Sequence, residues 1–173
     1  MVGILATSGL FRVLLLPSLP THEIDLYRYL WDGAVLAEGI SPYRYAPQQV
    51  VAAAAAPASI TDPTLRRLVD LQNRSRSLGE SLYKIHHGQY ASPYPPVSQA
   101  VFALSAQLTP DLASPPARLA VMKGLLVLWD IATLVVVVLL LASTGKHPGW
   151  SLAYGWCPLV LKEFANSGHL DSI

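Results

Sequence analysis

Between residues 23 and 47 the chain reads EIDLYRYLWDGAVLAEGISPYRYAP, which sets carboxylates, guanidiniums and aromatic rings close together. A carboxylate where an apolar segment meets water can take the proton of a hydroxyl. Asp25, Asp32, His86, His87, Tyr94 and the cluster from Glu163 to Asp171, with His169 inside it, all fall where an apolar stretch meets a loop. Arg28 and Arg44 carry planar guanidiniums suited to bidentate contact with phosphate. Trp31, Tyr27, Tyr43 and Tyr45 can stack on sugar rings or line a lipid groove. The plainer alternative is an aromatic belt that only anchors the chain at a membrane surface. His86 and His87 with His169 and Asp171 form a loose metal set at best, because no two of them share a convincing helix face at i, i+4 spacing. No cofactor is required, and a divalent metal stays open.

The elements that position these groups can be read from periodicity. Leu26, Leu30, Gly33, Ala34 and Ala37 fall on one helical stripe, with Asp25 and Asp32 opposite it near Arg28. Gly39 is placed to end that helix in a left-handed cap, and Pro42 forbids its continuation. The expected element is an amphipathic helix at a membrane surface, rings at headgroup depth and carboxylates in water. Its bland counterpart is a helix on an ordinary soluble core. The alanine-rich run from residue 50 predicts a short helix leading into a loop, with Asp62-Pro63 as a turn signal. Residues 65–84 are polar and Arg-rich, a helical loop outside the bilayer. Tyr94-Pro95-Pro96 precedes a helical stripe over 97–109, interrupted by Ser98, Gln99, Ser105 and Gln107.

Composition sets the surroundings. Of 173 residues, 52% are hydrophobic and 13% charged, where a soluble domain carries about 25% charged residues. Much of the chain is therefore solvated by lipid. A formal net charge of +1 supplies no basic field, which sets nucleic acid aside. Cys157 is the single cysteine, so neither an intrachain disulfide nor a cysteine-based zinc site can form. Apolar spans are expected near residues 1–19, 97–112, 119–142 and 150–165, with an outer loop over 20–95; the fold class is all-α, with multi-pass transmembrane helices and an extracytoplasmic loop carrying amphipathic interfacial helices. Arg12 and Asp130 fall inside two of the spans, where a charge is costly unless it is paired or faces a cavity; a snorkelling arginine and a packing hydrogen bond are the structural alternatives. Basic residues flank 119–142 on both sides, so charge does not orient it.

Four stretches in this order, DLYRYLWDG (25–33), GISPY (39–43), YPP (94–96), and WCP (156–158) with GHLD (168–171), resemble the multi-pass membrane glycosyltransferases of the GT-C superfamily, in particular the bacterial mannosyltransferase-like group. The resemblance covers nearly the whole chain, and the first stretch is the most specific. It implies a sugar, mannose foremost, carried on a polyprenyl phosphate as donor and a glycan or lipid hydroxyl as acceptor. It implies a bacterial plasma-membrane protein with its active site on the outer face, in contact with membrane lipid. An acidic residue just after the first span would be the catalytic base. By position that is Asp25, with Glu23 as second candidate. Arg28, Trp31, Asp32, Tyr43, Tyr94, His169 and Asp171 are the substrate-binding candidates.

Relatives of this kind have about eight or more spans, so the chain is expected to be the N-terminal part of such an enzyme, inactive by itself. Placing Asp25 and Asp171 on one face makes one apolar segment, 97–109, interfacial. The competing class is a non-catalytic membrane subunit or remnant fragment. A lipid-phosphate phosphatase would need clustered Arg and His at motif spacing, which is absent, and a transporter would need paired intramembrane charges, for which Arg12 and Asp130 are the one pair on offer.

Overall fold

The computed structural model describes residues 2–21 and 25–170, and among them every regular element is helical, with no strand. They form two compact units, one made of residues 24–121, the other of 1–23 together with 122–173. The helices are α1 (Val2–Leu15), α2 (Asp25–Ala37), α3 (Pro47–Ala55), α4 (Pro63–Arg74), α5 (Arg76–Tyr83), α6 (Pro96–Leu108) and α7 (Pro115–Ser143), followed by short helical pieces.

Unit 24–121 is organised around α2, which packs along α6 and against α5. Gly33 makes the first crossing possible: a Cβ there would lie 2.2 Å from the carbonyl oxygen of Phe102. The helix ends as its sequence demands. Gly39 takes φ +73, its N–H bonds the Leu36 carbonyl at 2.9 Å, and the Ile40 N–H bonds Val35 at 3.1 Å, the paired bonds of a Schellman cap. Ile40 and Val35 then enter one apolar cluster with Trp31, Val50, Leu68, Leu71, Leu78 and Leu82. Fully burying each such side chain contributes about 1.5–3 kcal/mol. Asp62 starts α4 by accepting from the N–H groups of Thr64 at 2.7 Å and Leu65 at 3.4 Å. Pro95 and Pro96 start α6, where missing N–H groups cost nothing.

The expected water-facing side of α2 is covered. Arg28 and Asp32 are buried along with Leu26, Tyr29, Leu30 and Trp31, so α2 is the central helix of its unit and not an amphipathic helix at an interface. An Arg and an Asp four residues apart neutralise each other on one face, and the polar positions of α6 that interrupt its apolar stripe, Ser98, Gln99 and Ser105, are themselves buried.

The second unit holds α1, α7 from Met122 onward, and the segment after it. Lys123 donates to the carbonyls of Leu15 at 3.1 Å, Leu16 at 3.0 Å and Ser18 at 2.7 Å, satisfying oxygens that the end of α1 leaves without helical partners. Arg12 and Asp130 are both fully buried and joined by two bonds, at 2.5 and 3.2 Å. Arg12 also donates to the carbonyls of Ser8 and Gly155, both at 3.0 Å, and Tyr154 donates to Asp130 at 2.7 Å.

Of the four expected spans, one is long and apolar enough to cross a membrane: α7, with 29 residues. α1 is a shorter apolar helix of 14 residues, and α6 is 13 residues long with buried residues from Ser98 to Ser105. Residues 150–165 do not form one helix. They break into Pro148–Ser151, Leu152–Gly155, Pro158–Val160 and a π-helical turn, Leu161–Ser167. The break before Pro158 is steric, since the residue preceding a proline is pushed out of the helical region; Cys157 has ψ 119.

Candidate functional site

The first turn of α2 and the loop that leads into α6 enclose a cleft of about 330 Å³, lined by Asp25, Arg28, His86, His87, Tyr90, Ala91, Pro93 and Tyr94. Asp25 and Arg28 share a helix face one turn apart. The loop is tied down by backbone bonds to the segment after α2: Ser92 N–H to the Pro42 carbonyl at 3.2 Å, and Gln48 N–H to Gly88 at 2.9 Å. His87 takes φ 54, a left-handed conformation uncommon for a residue with a Cβ. The His86 and His87 rings lie 6.4 Å apart, edge to face.

Arg28 is held from two sides. Its Nε donates to Asp32 Oδ1 at 2.9 Å and its Nη2 to the Tyr90 carbonyl at 3.1 Å. Behind it, Gln99 donates to Asp32 at 3.4 Å and to Ser92 Oγ at 2.5 Å. Burial raises the Asp32 carboxyl above its ordinary range, opposed by the Arg28 charge and by hydrogen bonds from Ser92, Gln99 and Arg28. Asp32 thus holds Arg28 in place and does not face the cleft.

Tyr94 lines the cleft together with Asp25. Its ring stands edge-on to Tyr29 at 5.0 Å and to Phe102 at 5.7 Å, and its carbonyl accepts from the Tyr43 hydroxyl at 2.6 Å. Burial raises the Tyr94 phenol well above its ordinary range, and the Asp25 charge and hydrogen bond raise it further.

The cleft therefore brings together five of the residues singled out by type and spacing, Asp25, Arg28, His86, His87 and Tyr94. Tyr43 touches it through the Tyr94 backbone. Trp31 is 2% exposed in the apolar cluster and has no face to offer a sugar. Arg44 lies over the Tyr45 ring and reaches Asp62, which also accepts from the Tyr45 hydroxyl. His169 belongs to the other unit, where its N–H closes the π-helical turn on the Glu163 carbonyl at 2.9 Å. Glu23 and Asp171 lie outside the described residues. Ser92, Gln99 and the Tyr90 carbonyl were not singled out as site groups; the signal for Gln99 was a polar residue interrupting the apolar stripe of 97–109. Among the described residues no three His, Cys, Asp or Glu side chains converge to hold a metal ion.

Chemically, the cleft offers a carboxylate, two imidazoles, a guanidinium and two tyrosines within one small volume. That set can remove a proton and hold an anion. No family model, curated protein or solved structure matches the chain.

Proposed function

We propose that the cleft at the start of α2 is the acceptor-activating site of a membrane glycosyltransferase of the GT-C type, which moves a hexose, mannose foremost, from a polyprenyl-phosphate donor to a hydroxyl acceptor. One observation carries the reading: Asp25 shares its cleft with Arg28, His86 and His87, a carboxylate base beside groups able to face a phosphate. Asp25 takes the proton of the acceptor hydroxyl as that oxygen attacks the anomeric carbon. The bond from that carbon to the phosphate oxygen breaks, the phosphate leaves with the electron pair, and the sugar inverts. Arg28 and the imidazoles balance the negative charge on the departing phosphate. Asp32 keeps Arg28 aimed by pairing with it from behind.

The reading includes a multi-pass membrane setting with the cleft on the outer face, where a lipid-borne donor can reach it. α7 supports that setting by its length and composition, as does the apolar character of α1. The test is transfer of radiolabelled mannose from a synthetic polyprenyl-phosphate mannose by membranes of cells that express the protein from its whole gene. Asp25→Asn should lower the rate by about 10²-fold or more. An unchanged rate would remove Asp25 as base and favour a non-catalytic membrane subunit.

A further inference from the structure

We infer that Gln99 is a positioning residue, whose amide joins the two walls of the cleft and so fixes the direction in which Arg28 points. The inference rests on the role proposed for Arg28 at the departing phosphate. α6 brings Gln99 to the site by its crossing with α2. The backbone of Phe102 lies against Gly33, Asp32 is the residue before that glycine, and Gln99 stands about one turn before Phe102. The close approach therefore sets Gln99 beside Asp32, where it is 1% exposed.

The bonds close a circuit. On the helix wall, Arg28 Nε donates to Asp32 Oδ1 at 2.9 Å. Gln99 Nε2 donates to the other oxygen of that carboxylate, Oδ2, at 3.4 Å, and to Ser92 Oγ at 2.5 Å. Just before Ser92 on the loop wall, the Tyr90 carbonyl accepts from Arg28 Nη2 at 3.1 Å, and the circuit returns to its start. Ser92 is itself held by its N–H on the Pro42 carbonyl at 3.2 Å. With a donor on each oxygen, the Asp32 carboxylate cannot turn without losing one of them, so its hold on the guanidinium has one direction. An arginine side chain has many rotamers to lose, and a bond to a freely turning carboxylate would not select among them. An ionised carboxylate requires the N–H side of the amide to face it. That leaves Gln99 Oε1 buried with no hydrogen-bond partner among the described residues, a cost that an apolar side chain at this position would not carry. Gln99 thus serves the cleft at the expense of its own bonding in α6.

Gln99→Met keeps the length of the side chain and removes both N–H groups. In full-length protein carrying ¹⁵Nε-arginine, the Arg28 Nε–H resonance is identified by its loss in Arg28→Lys. Its hydrogen exchange should quicken about 5- to 10-fold in Gln99→Met, the effect of one lost hydrogen bond. Ser105→Ala alters another buried polar residue of α6 and should leave that exchange as it is. An equal effect there would mean mere loosening of the helix and overturn the inference. Ser92→Ala opens the same circuit from the loop, and decides the matter alone where Gln99→Met fails to fold. It should quicken the exchange as much, and the double variant no further. Additive effects, or unchanged exchange in either single variant, overturn the inference whatever the enzyme does. In the mannose-transfer assay Gln99→Met should lower kcat about 10-fold or more and leave KM for the polyprenyl-phosphate mannose unchanged. A raised KM with normal kcat would mean that Gln99 acts on substrate binding, and the inference fails. Quickened exchange with normal kcat and KM would keep Gln99 as the positioner of Arg28 and instead sink the role proposed for Arg28 at the phosphate.

Discussion

Arg12 and Asp130 lie 118 residues apart in sequence and close a fork of two hydrogen bonds, at 2.5 and 3.2 Å, with neither side chain exposed. Buried charges of this kind are tolerated because they are paired and hydrogen-bonded. Asp130 takes a third bond from Tyr154, and the Arg12 Nη1 group donates to the carbonyls of Ser8 and Gly155. The carbonyl of Gly155 is within reach because the helix breaks a residue later, ahead of Pro158.

Removing one partner should cost far more than removing both. Arg12→Leu or Asp130→Leu leaves an unpaired buried group and should destabilise the unit by about 3–5 kcal/mol. The double variant Arg12→Leu with Asp130→Leu should recover most of that loss. Denaturant unfolding of the four proteins in detergent measures the difference. Additive losses in the double variant would show that the two residues do not act as a pair.

Gly33 predicts a steric effect on the α2–α6 crossing. In Gly33→Ala the new methyl meets the Phe102 carbonyl at 2.2 Å, backbone that cannot rotate away, so the helices must separate. A loss of about 1–3 kcal/mol is expected, with faster amide exchange in α2 and α6. A variant as stable as the parent would mean that the helices do not approach so closely.

Two aspartates should give stability of opposite pH dependence. Burial raises Asp32 above its ordinary 3.8, so its folded form holds a proton more tightly than the unfolded chain. Its contribution is fully present below about pH 3.8 and is lost as pH rises through the raised value. Asp62 is held below 3.8, first by the Tyr45 hydroxyl, then by the Thr64 N–H. Its contribution is present above pH 3.8 and is lost as pH falls through the lowered value. Unfolding midpoints measured from pH 2 to 8 should therefore lose part of their acid-side decline in Asp62→Asn. In Asp32→Asn the fall on the alkaline side of 3.8 should flatten. Parallel curves for parent and variants would refute both assignments.

The membrane setting of α7 can be tested at Leu139, which is 58% exposed on a helix of 29 residues. If that face meets lipid, Leu139→Arg should cost about 2.5–3.5 kcal/mol of insertion free energy. The fraction of the chain that resists carbonate extraction from membranes should fall accordingly. An unaltered fraction would argue that α7 is covered by protein or lies outside the bilayer.

What could be read from the residues themselves was whatever depends on near neighbours. Gly39 ends α2 because a left-handed residue is cheapest as glycine. Tyr94-Pro95-Pro96 marks the start of α6 because a proline needs no partner for a missing N–H. The long apolar run of α7 declares its length, and the helical class follows from periodicity. Arg12 and Asp130 could be named as a pair because each alone would be an unpaid charge in an apolar run. Tertiary structure decided which faces are covered. Periodicity put Arg28 and Asp32 on a polar side of α2, yet nothing local says that Gln99, Ser92 and the Tyr90 carbonyl, each about 60 residues away in the chain, close over it. The same packing took Trp31 into the core and set the Tyr94 ring edge-on against Tyr29 and Phe102. Local spacing sets the face on which a side chain starts, but the burial of that face depends on chain segments that only folding brings together.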